Sequence, residues 1–269
     1  MKIRKNRFHF LIFIILLICL ICYCATTGPG GKKSLILMST SQEVSLGKEF
    51  AAQVDTTNPI SDDSVIIAYV DEVGQKIAQI SDRADLTYHF SVIDTPVVNA
   101  FACPGGFIYV YTGLLKTMDN EAQLAGVLAH EISHVVARHG VKRLQQILGL
   151  QVLLSIALGE SSELTQQAVS TGVGVLIQGY SRDNEFESDE YGTLYMQKAG
   201  YNPEGMVQLL GKLMEMSQHE PGFLEEIMAT HPPTKDRIQK VKSQIQGFDP
   251  SVGKYPFNEE RYQKIKNLL

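Results

Sequence analysis

The stretch His130-Glu131-Ile132-Ser133-His134 constrains this chain more than any other. It lies in a run from Gln123 to His139 that is rich in helix formers and free of proline, with Asn120 placed as an N-cap and Gln123 three residues on. On an α-helix, residues four apart leave nearly the same face, so His130 and His134 can grip one metal ion between them. Glu131 sits beside that face, within reach of a water on the metal but outside its ligand set. Two imidazoles with a neighbouring carboxylate base are how a zinc site makes hydroxide near neutral pH. The bland alternative is a helix that happens to carry two histidines. Both, however, fall among Leu124, Val127, Leu128, Ile132, Val135 and Val136, where an unpaired histidine is costly to bury. His139, read on a continuous helix, falls on the side opposite His130 and is not expected on the metal.

At 269 residues, 44% hydrophobic and 20% charged, the chain has an ordinary globular composition, for which a single domain is the default. A net charge of −5 and the lack of a basic stripe after Lys33 argue against a nucleic-acid partner. Cys19, Cys22 and Cys24 belong to the N-terminal apolar run and its end. The body is left with Cys103 alone, expected as a small packed side chain. Lys2, Arg4, Lys5 and Arg7 precede an apolar run from Phe10 to Tyr23, shorter than the roughly 20 residues of a membrane span and suited to a signal peptide. Cys24 at the polar junction predicts lipidation. The chain then divides into a signal peptide (1–23), a lipidated linker (24–34), a catalytic domain (35–246) and a C-terminal polar tail (247–269). Tyr23 stands where such sites usually have a small residue, so an uncleaved signal anchor is the alternative. Either arrangement exports the body and tethers it to the membrane by its N-terminus.

A helix is expected from Ser41 to about Val54. A second opens at Ser61-Asp62-Asp63, with Val65, Ala68, Tyr69, Val73, Ile77 and Ile80 as its apolar stripe. Leu86 to Ile93 alternates as a strand, with His89 outward. Asn99 to Cys103, Pro104-Gly105-Gly106 and Phe107 to Thr112 read as a hairpin. Its edge, at Asn99, Ala100 and Phe101, would let an extended peptide add beside the metal helix. A catalytic zinc needs a third protein ligand. Candidates lie on a helix capped by Ser181 and running to about Ala199, where Asp183 with Glu187 and Glu185 with Asp189 are both spaced four apart. Spacing alone does not choose between the pairs. His219, in a polar stretch, reads as solvent-exposed.

His130-Glu131-x-x-His134, Glu185-x-x-Ser188-Asp189-x-x-Gly192 and Asn99-Ala100-Phe101-Ala102-x-Pro104-Gly105-Gly106 together resemble one metallopeptidase family. It is that of the bacterial HtpX and BepA proteases, with a mitochondrial branch and the CAAX prenyl proteases. The resemblance runs from about Leu35 to Val241, and Cys24-Ala25-Thr26 with Gln42-Glu43-x-x-Leu46-Gly47 is similar to the family's small lipoprotein members. It implies an α+β, mainly helical zincin-like fold whose small sheet places an edge strand beside the metal helix. It also implies one zinc per chain on His130, His134 and Glu185, with Glu131 as general base and Asp189 orienting a ligand histidine. Ser188 stands where the family usually has alanine. Thr230-His231-Pro232-Pro233-Thr234-x-x-Arg237 is similar to the family's His-Pro segment. His231 and Arg237 are thereby candidates to steady an oxyanion or to occlude the zinc. The apolar runs 147–158 and 173–178 are too short to span a bilayer and suggest a helical cover. No tetratricopeptide repeat follows.

The function these readings imply is a zinc endopeptidase of the bacterial cell envelope, a periplasm-facing, outer-membrane lipoprotein acting on unfolded or misfolded envelope proteins. A chaperone-like binding factor with a closed, structural zinc site is the rival. The N-terminal reading carries a test: intact-mass measurement of membrane-extracted protein should find a chain that begins at Cys24 and carries acyl groups. A mass that includes residues 1–23 would establish the signal anchor.

Overall fold

The first helix, α1 (Thr40–Thr57), begins at a capping box in which Ser39 Oγ accepts from the Gln42 amide at 3.3 Å and Gln42 Oε1 accepts from the Ser39 amide at 2.8 Å. This computed structural model describes residues 25–36, 38–147, 172, 174, 179–219 and 221–269. The expected signal peptide, Cys24 and most of the two apolar runs between 147 and 178 lie outside them. The stretch read as a linker contains two short antiparallel strands, β1 (Ala25–Thr27) and β2 (Lys33–Leu35). Helix α2 (Ser64–Ala78) is capped by Asp63, the last of the three residues read as its opening. Its buried stripe is Ile66, Tyr69, Val70, Val73 and Ile77. Val65 and Ala68 fall outside this stripe and are exposed.

The expected hairpin forms: β4 (Ala100–Cys103) and β5 (Phe107–Tyr111) are antiparallel around a 3-10 turn at Pro104–Gly106. Gly105 has φ 77°, and a Cβ there would lie 2.8 Å from Val44 Cα, so only glycine lets the turn settle on α1. Strand β3 (His89–Ile93) pairs parallel with β5, giving the order β3-β5-β4 with β4 at an edge. Phe90, Val92, Ala100, Ala102, Ile108 and Val110 face a core shared with α2 and the metal helix. Phe101, Cys103, Tyr109 and Tyr111 face α1 and residues Val141 and Leu144. Burial on both faces explains why the hairpin strands read as continuous apolar runs. His89 is exposed as expected, its ring stacked on Phe107.

The remaining helices are α3 (Thr112–Thr117), α4 (Glu121–Val136), α5 (Arg182–Lys198), α6 (Glu204–His219), α7 (Glu225–Thr230), α8 (Lys235–Gln246) and α9 (Glu259–Lys266). Helix α4 is the centre, packed by α2, α5, α6 and β4. The fold is therefore α+β and mainly helical, with the small sheet beside the metal helix. The segment read as a loose polar tail is docked on the domain. Tyr262 is buried and donates to the Leu115 carbonyl at 2.7 Å, and Asn258 Nδ2 donates to Glu121 Oε1 at 2.7 Å at the start of α4. Among the described residues no helix is long and apolar enough to cross a membrane.

One buried carboxylate ties these layers together. Glu43 on α1 accepts a two-pronged contact from Arg83 at 3.1 and 3.0 Å, pairs with Arg138 Nε at 2.9 Å, and accepts from the Gly105 amide at 3.3 Å. Arg83 also donates to the Val135 carbonyl, and Arg138 to that of Met38. The end of α4, the hairpin turn and the segment entering α1 thus share a single anion. Glu43→Ala would leave two buried guanidinium groups without their counter-charge, so chemical denaturation should find stability lowered by roughly 3–5 kcal/mol. A loss under 1 kcal/mol would mean that the cluster is solvated.

Candidate metal centre

Helix α4 starts where Asn120 Oδ1 accepts from the Gln123 amide, while Gln123 Oε1 accepts from the amide of Asp119 rather than that of the cap. The helix carries His130, Glu131 and His134 into the interior, all three at most 7% exposed. It stops sooner than expected. Ala137 ends it and Arg138 adopts φ 55°, a left-handed conformation held by the Glu43 contact and the Met38 carbonyl. Residues 139–147 then turn helical in a new direction. Helix α5 is capped by Ser181 and presents Glu185 and Asp189 one turn apart. Gly192, where a Cβ would lie 3.2 Å from Ala129 C and His130 N, lets α5 approach α4 this closely.

His130, His134, Glu185 and His231 each offer one donor atom, all within 4.8 Å of one another. His130 Nε2 and His134 Nε2 are 3.0 Å apart, His130 Nε2 is 3.4 Å from Glu185 Oε2, and His134 Nε2 is 3.3 Å from Glu185 Oε1. His231 Nδ1 lies 3.3 Å from His130 Nε2 and 3.0 Å from Glu185 Oε1. Ligands about 2.0–2.1 Å from a tetrahedral zinc lie roughly 3.3 Å from each other, so this donor set has the size and chemistry of a zinc site. Among the four, Glu185 is the acid brought in. Glu187, from the competing pair, points away to His139 at 3.0 Å.

The outer nitrogens of the histidines are engaged. His130 Nδ1 is 3.0 Å from Asp189 Oδ1, so that Nε2 faces the cluster. Arg237 clamps Asp189 through Nε and Nη2, both at 2.7 Å, reaches Glu185 Oε2 at 2.8 Å and donates to the Pro232 carbonyl. Its donors are thus engaged by two carboxylates and a backbone carbonyl. Helix α8 begins with Thr234 accepting from the Arg237 amide. His231 turns its Nε2 toward Glu131 Oε1, 3.7 Å away, and Glu131 Oε2 is buried with no hydrogen-bond partner. A buried carboxylate oxygen left bare beside four donors is a place for a water or a substrate proton.

Asn99 lies directly before the edge strand β4. Its Oδ1 accepts from the Ala100 amide and from Thr230 Oγ1, and its Nδ2 donates to Glu226. Helix α7 therefore meets the strand edge at that point. Ala100 lies in a small apolar cavity of about 50 Å³ together with Val127, Leu210 and Ile227, beside His130 and Glu131. His219 is exposed, as expected.

Two neighbours of His134 were not legible in the sequence. Tyr180 is stacked on its ring at 4.2 Å between centroids, and His139 Nδ1 is 2.9 Å from His134 Nδ1. The helix break at Arg138 is what turns His139 back toward the site. On the continuous helix assumed from sequence it would have faced away. The only signal for Tyr180 is an aromatic directly before the Ser181 cap.

Charge in the metal-free site follows from burial and close pairing. Burial pushes His130 toward its neutral form, but Glu185 and Asp189 outweigh it and raise its pKa to about 10. His134 is held well below the usual histidine value by burial. Burial opposes ionisation of Glu185, yet His231 and His130 hold it well below the usual carboxylate range. Burial raises Glu131. A proton thus occupies His130 at neutral pH and zinc has to displace it, so affinity should rise with pH up to about 10. Calorimetry of zinc binding at pH 7, in buffers of different ionisation enthalpy, should find about one proton released per zinc. Release of none would mean that the metal-free site is already neutral.

Comparison with known proteins agrees with this geometry. The family model for Peptidase family M48 matches residues 67–245. The Beta-barrel assembly-enhancing protease of Escherichia coli is 29% identical over 225 residues, covering 80% of this chain and 46% of that protein. The Mitochondrial metalloendopeptidase OMA1 of Schizosaccharomyces pombe is 32% identical over 177 residues, 65% of this chain and 51% of that one. Metalloprotease YcaL of Escherichia coli is 25% identical over 217 residues, 77% of this chain and 82% of that one. The chain thus spans about half the length of the first two of these relatives.

Proposed function

The chain belongs to peptidase family M48, and from that premise we propose that it is a zinc-dependent endopeptidase with His130, His134 and Glu185 as ligands and Glu131 as general base. The observation that carries this reading is the convergence of four donors within 4.8 Å beside a carboxylate whose Oε2 has no partner. Zinc, when bound, supplies Lewis acidity that polarises an amide carbonyl and lowers the pKa of water toward neutrality.

The residues divide the rest of the work. Glu131 takes the proton of the attacking water as its oxygen bonds to the carbonyl carbon, and then gives that proton to the amide nitrogen as the C–N bond breaks. Asp189 holds His130 with its Nε2 lone pair toward the cluster, and Arg237 holds Asp189. Strand β4 lies beside α4 and Ala100 shares a cavity with His130 and Glu131, so a substrate strand added along Ala100 and Phe101 would run past Glu131, whereas Asn99 is taken up by Thr230 and Glu226 of α7. Its substrates are unfolded or misfolded proteins of the cell envelope. The support is an extended-strand mode of recognition, which requires an unfolded segment, and the printed name of the beta-barrel assembly-enhancing relative. The basic and apolar pattern of residues 1–24 supports export, a lipid tether at Cys24 and a periplasm-facing position.

A second reading rests on His231. As a fourth protein donor it closes the set, the arrangement of a structural zinc, and the chain would then act as an envelope binding factor. Turnover separates the two. Glu131→Gln should keep zinc and lose casein cleavage by about 10²–10⁴-fold, because glutamine cannot accept the proton. His134→Ala should lose zinc and activity together. Activity should fall as pH drops far enough to protonate the Glu131 base. If neither the natural protein nor His231→Ala cuts unfolded substrate when loaded with zinc, the binding-factor reading takes its place.

A further inference from the structure

We propose that His139 and Glu187 form a second orienting arm, which fixes the tautomer and ring direction of His134 as Asp189 does for His130. The inference rests on the reading of His134 as a metal ligand. His134 Nδ1 and His139 Nδ1 are 2.9 Å apart, and His139 Nε2 is 3.0 Å from Glu187 Oε2. Glu187 Oε1 in turn accepts from Lys32 Nζ at 2.9 Å. The His139 side chain is fully buried, and that of Glu187 is 18% exposed.

The direction of this chain follows from what each group can do. An ionised carboxylate only accepts, so Glu187 requires a hydrogen on His139 Nε2. A neutral His139 with that hydrogen has a bare Nδ1, which can only accept, and the hydrogen between the two rings must belong to His134 Nδ1. His134 Nε2 is then left with its lone pair among the donors of the metal site. The opposite tautomer would put the lone pair of His139 Nε2 against the carboxylate and a hydrogen from His134 Nε2 into the cluster, where it could not bind metal. Tyr180, flat on the ring at 4.2 Å, blocks rotation out of this plane.

The two arms spring from one helix. Glu185 reaches the cluster, Asp189 reaches His130, and Glu187 between them reaches His139. The left-handed Arg138 makes this possible. Five residues along an unbroken helix would place His139 about 140° around the axis from His134.

The test is the zinc dissociation constant of the full-length protein, measured by chelator competition. It is run with the visible spectrum of the cobalt form and the thermal melt of the metal-free form. His139→Phe fills the ring space without an acceptor and should weaken zinc 10–100-fold and shift the cobalt bands. The metal-free melt should stay close to that of the natural protein. His139→Asn returns an acceptor near the Nδ1 position and should recover most of the affinity. Glu187→Gln, at a partly exposed position, should weaken zinc in the same direction, while Asp183→Asn, an exposed acid on the same helix, should stay within twofold. Zinc binding within twofold of the natural protein in both His139→Phe and Glu187→Gln, with unchanged cobalt spectra, would overturn the arm. A fall in the metal-free melt of His139→Phe, with Glu187→Gln unaffected, would make His139 a packing residue and overturn it equally. Should His139→Phe not fold, Glu187→Gln alone decides by the same criterion. His134→Ala serves as reference: if it retains zinc at natural affinity, the ligand reading has failed instead.

Discussion

Two imidazole nitrogens 3.0 Å apart, closed in by a carboxylate and a third imidazole, can persist in a buried site only if a proton or a cation lies between them. Without metal it is the proton held on His130 by Glu185 and Asp189. With zinc it is the ion, and the proton leaves. Much of the surrounding architecture serves to hold these donors where they would otherwise repel. The α4 backbone sets His130 and His134 one turn apart, Gly192 lets α5 close on them, and the clamp of Arg237 on Asp189 keeps an acid pointing at a ring instead of at solvent.

Buried ionic groups are costly, and they add little stability compared with well-packed apolar side chains of similar volume. Here they do a geometric job. The Arg237–Asp189 pair fixes the direction of His130. The cluster of Glu43, Arg83 and Arg138 fixes where α4 ends, at a residue whose left-handed backbone needs outside support. Both ends of α4 are tied to distant chain. Glu121 at its start meets Tyr69 and Asn258, and Arg138 beyond its end meets Glu43 and the Met38 carbonyl. A metal helix anchored this way can hold its ligands with little reorganisation.

What was legible in the sequence was local. The Asn120 and Ser181 caps, the hairpin around Pro104-Gly105-Gly106 and the helical spacing of His130 and His134 each depend on residues a few positions apart. Spacing left the two acid pairs on α5 undecided, and the resemblance pointed to Glu185, which is the acid found with the histidines. The misread features were non-local. The break comes at Arg138, two residues before Gly140, where a salt bridge to Glu43, far away in sequence, stabilises it. His139 was therefore placed on the wrong side, and nothing in the spacing tied Glu187 to it. The polar residues after Gly247 carry little periodicity, yet Val252 and Tyr262 give them buried anchors.

Peptidase activity measured against zinc bound per chain tests the account most directly. Protein stripped by chelator and reloaded in steps should cut an unfolded substrate at a rate that rises with bound zinc and levels off at one zinc per chain. Full occupancy without cleavage, even with His231 replaced by alanine, would contradict the account, as would cleavage that survives complete removal of the metal.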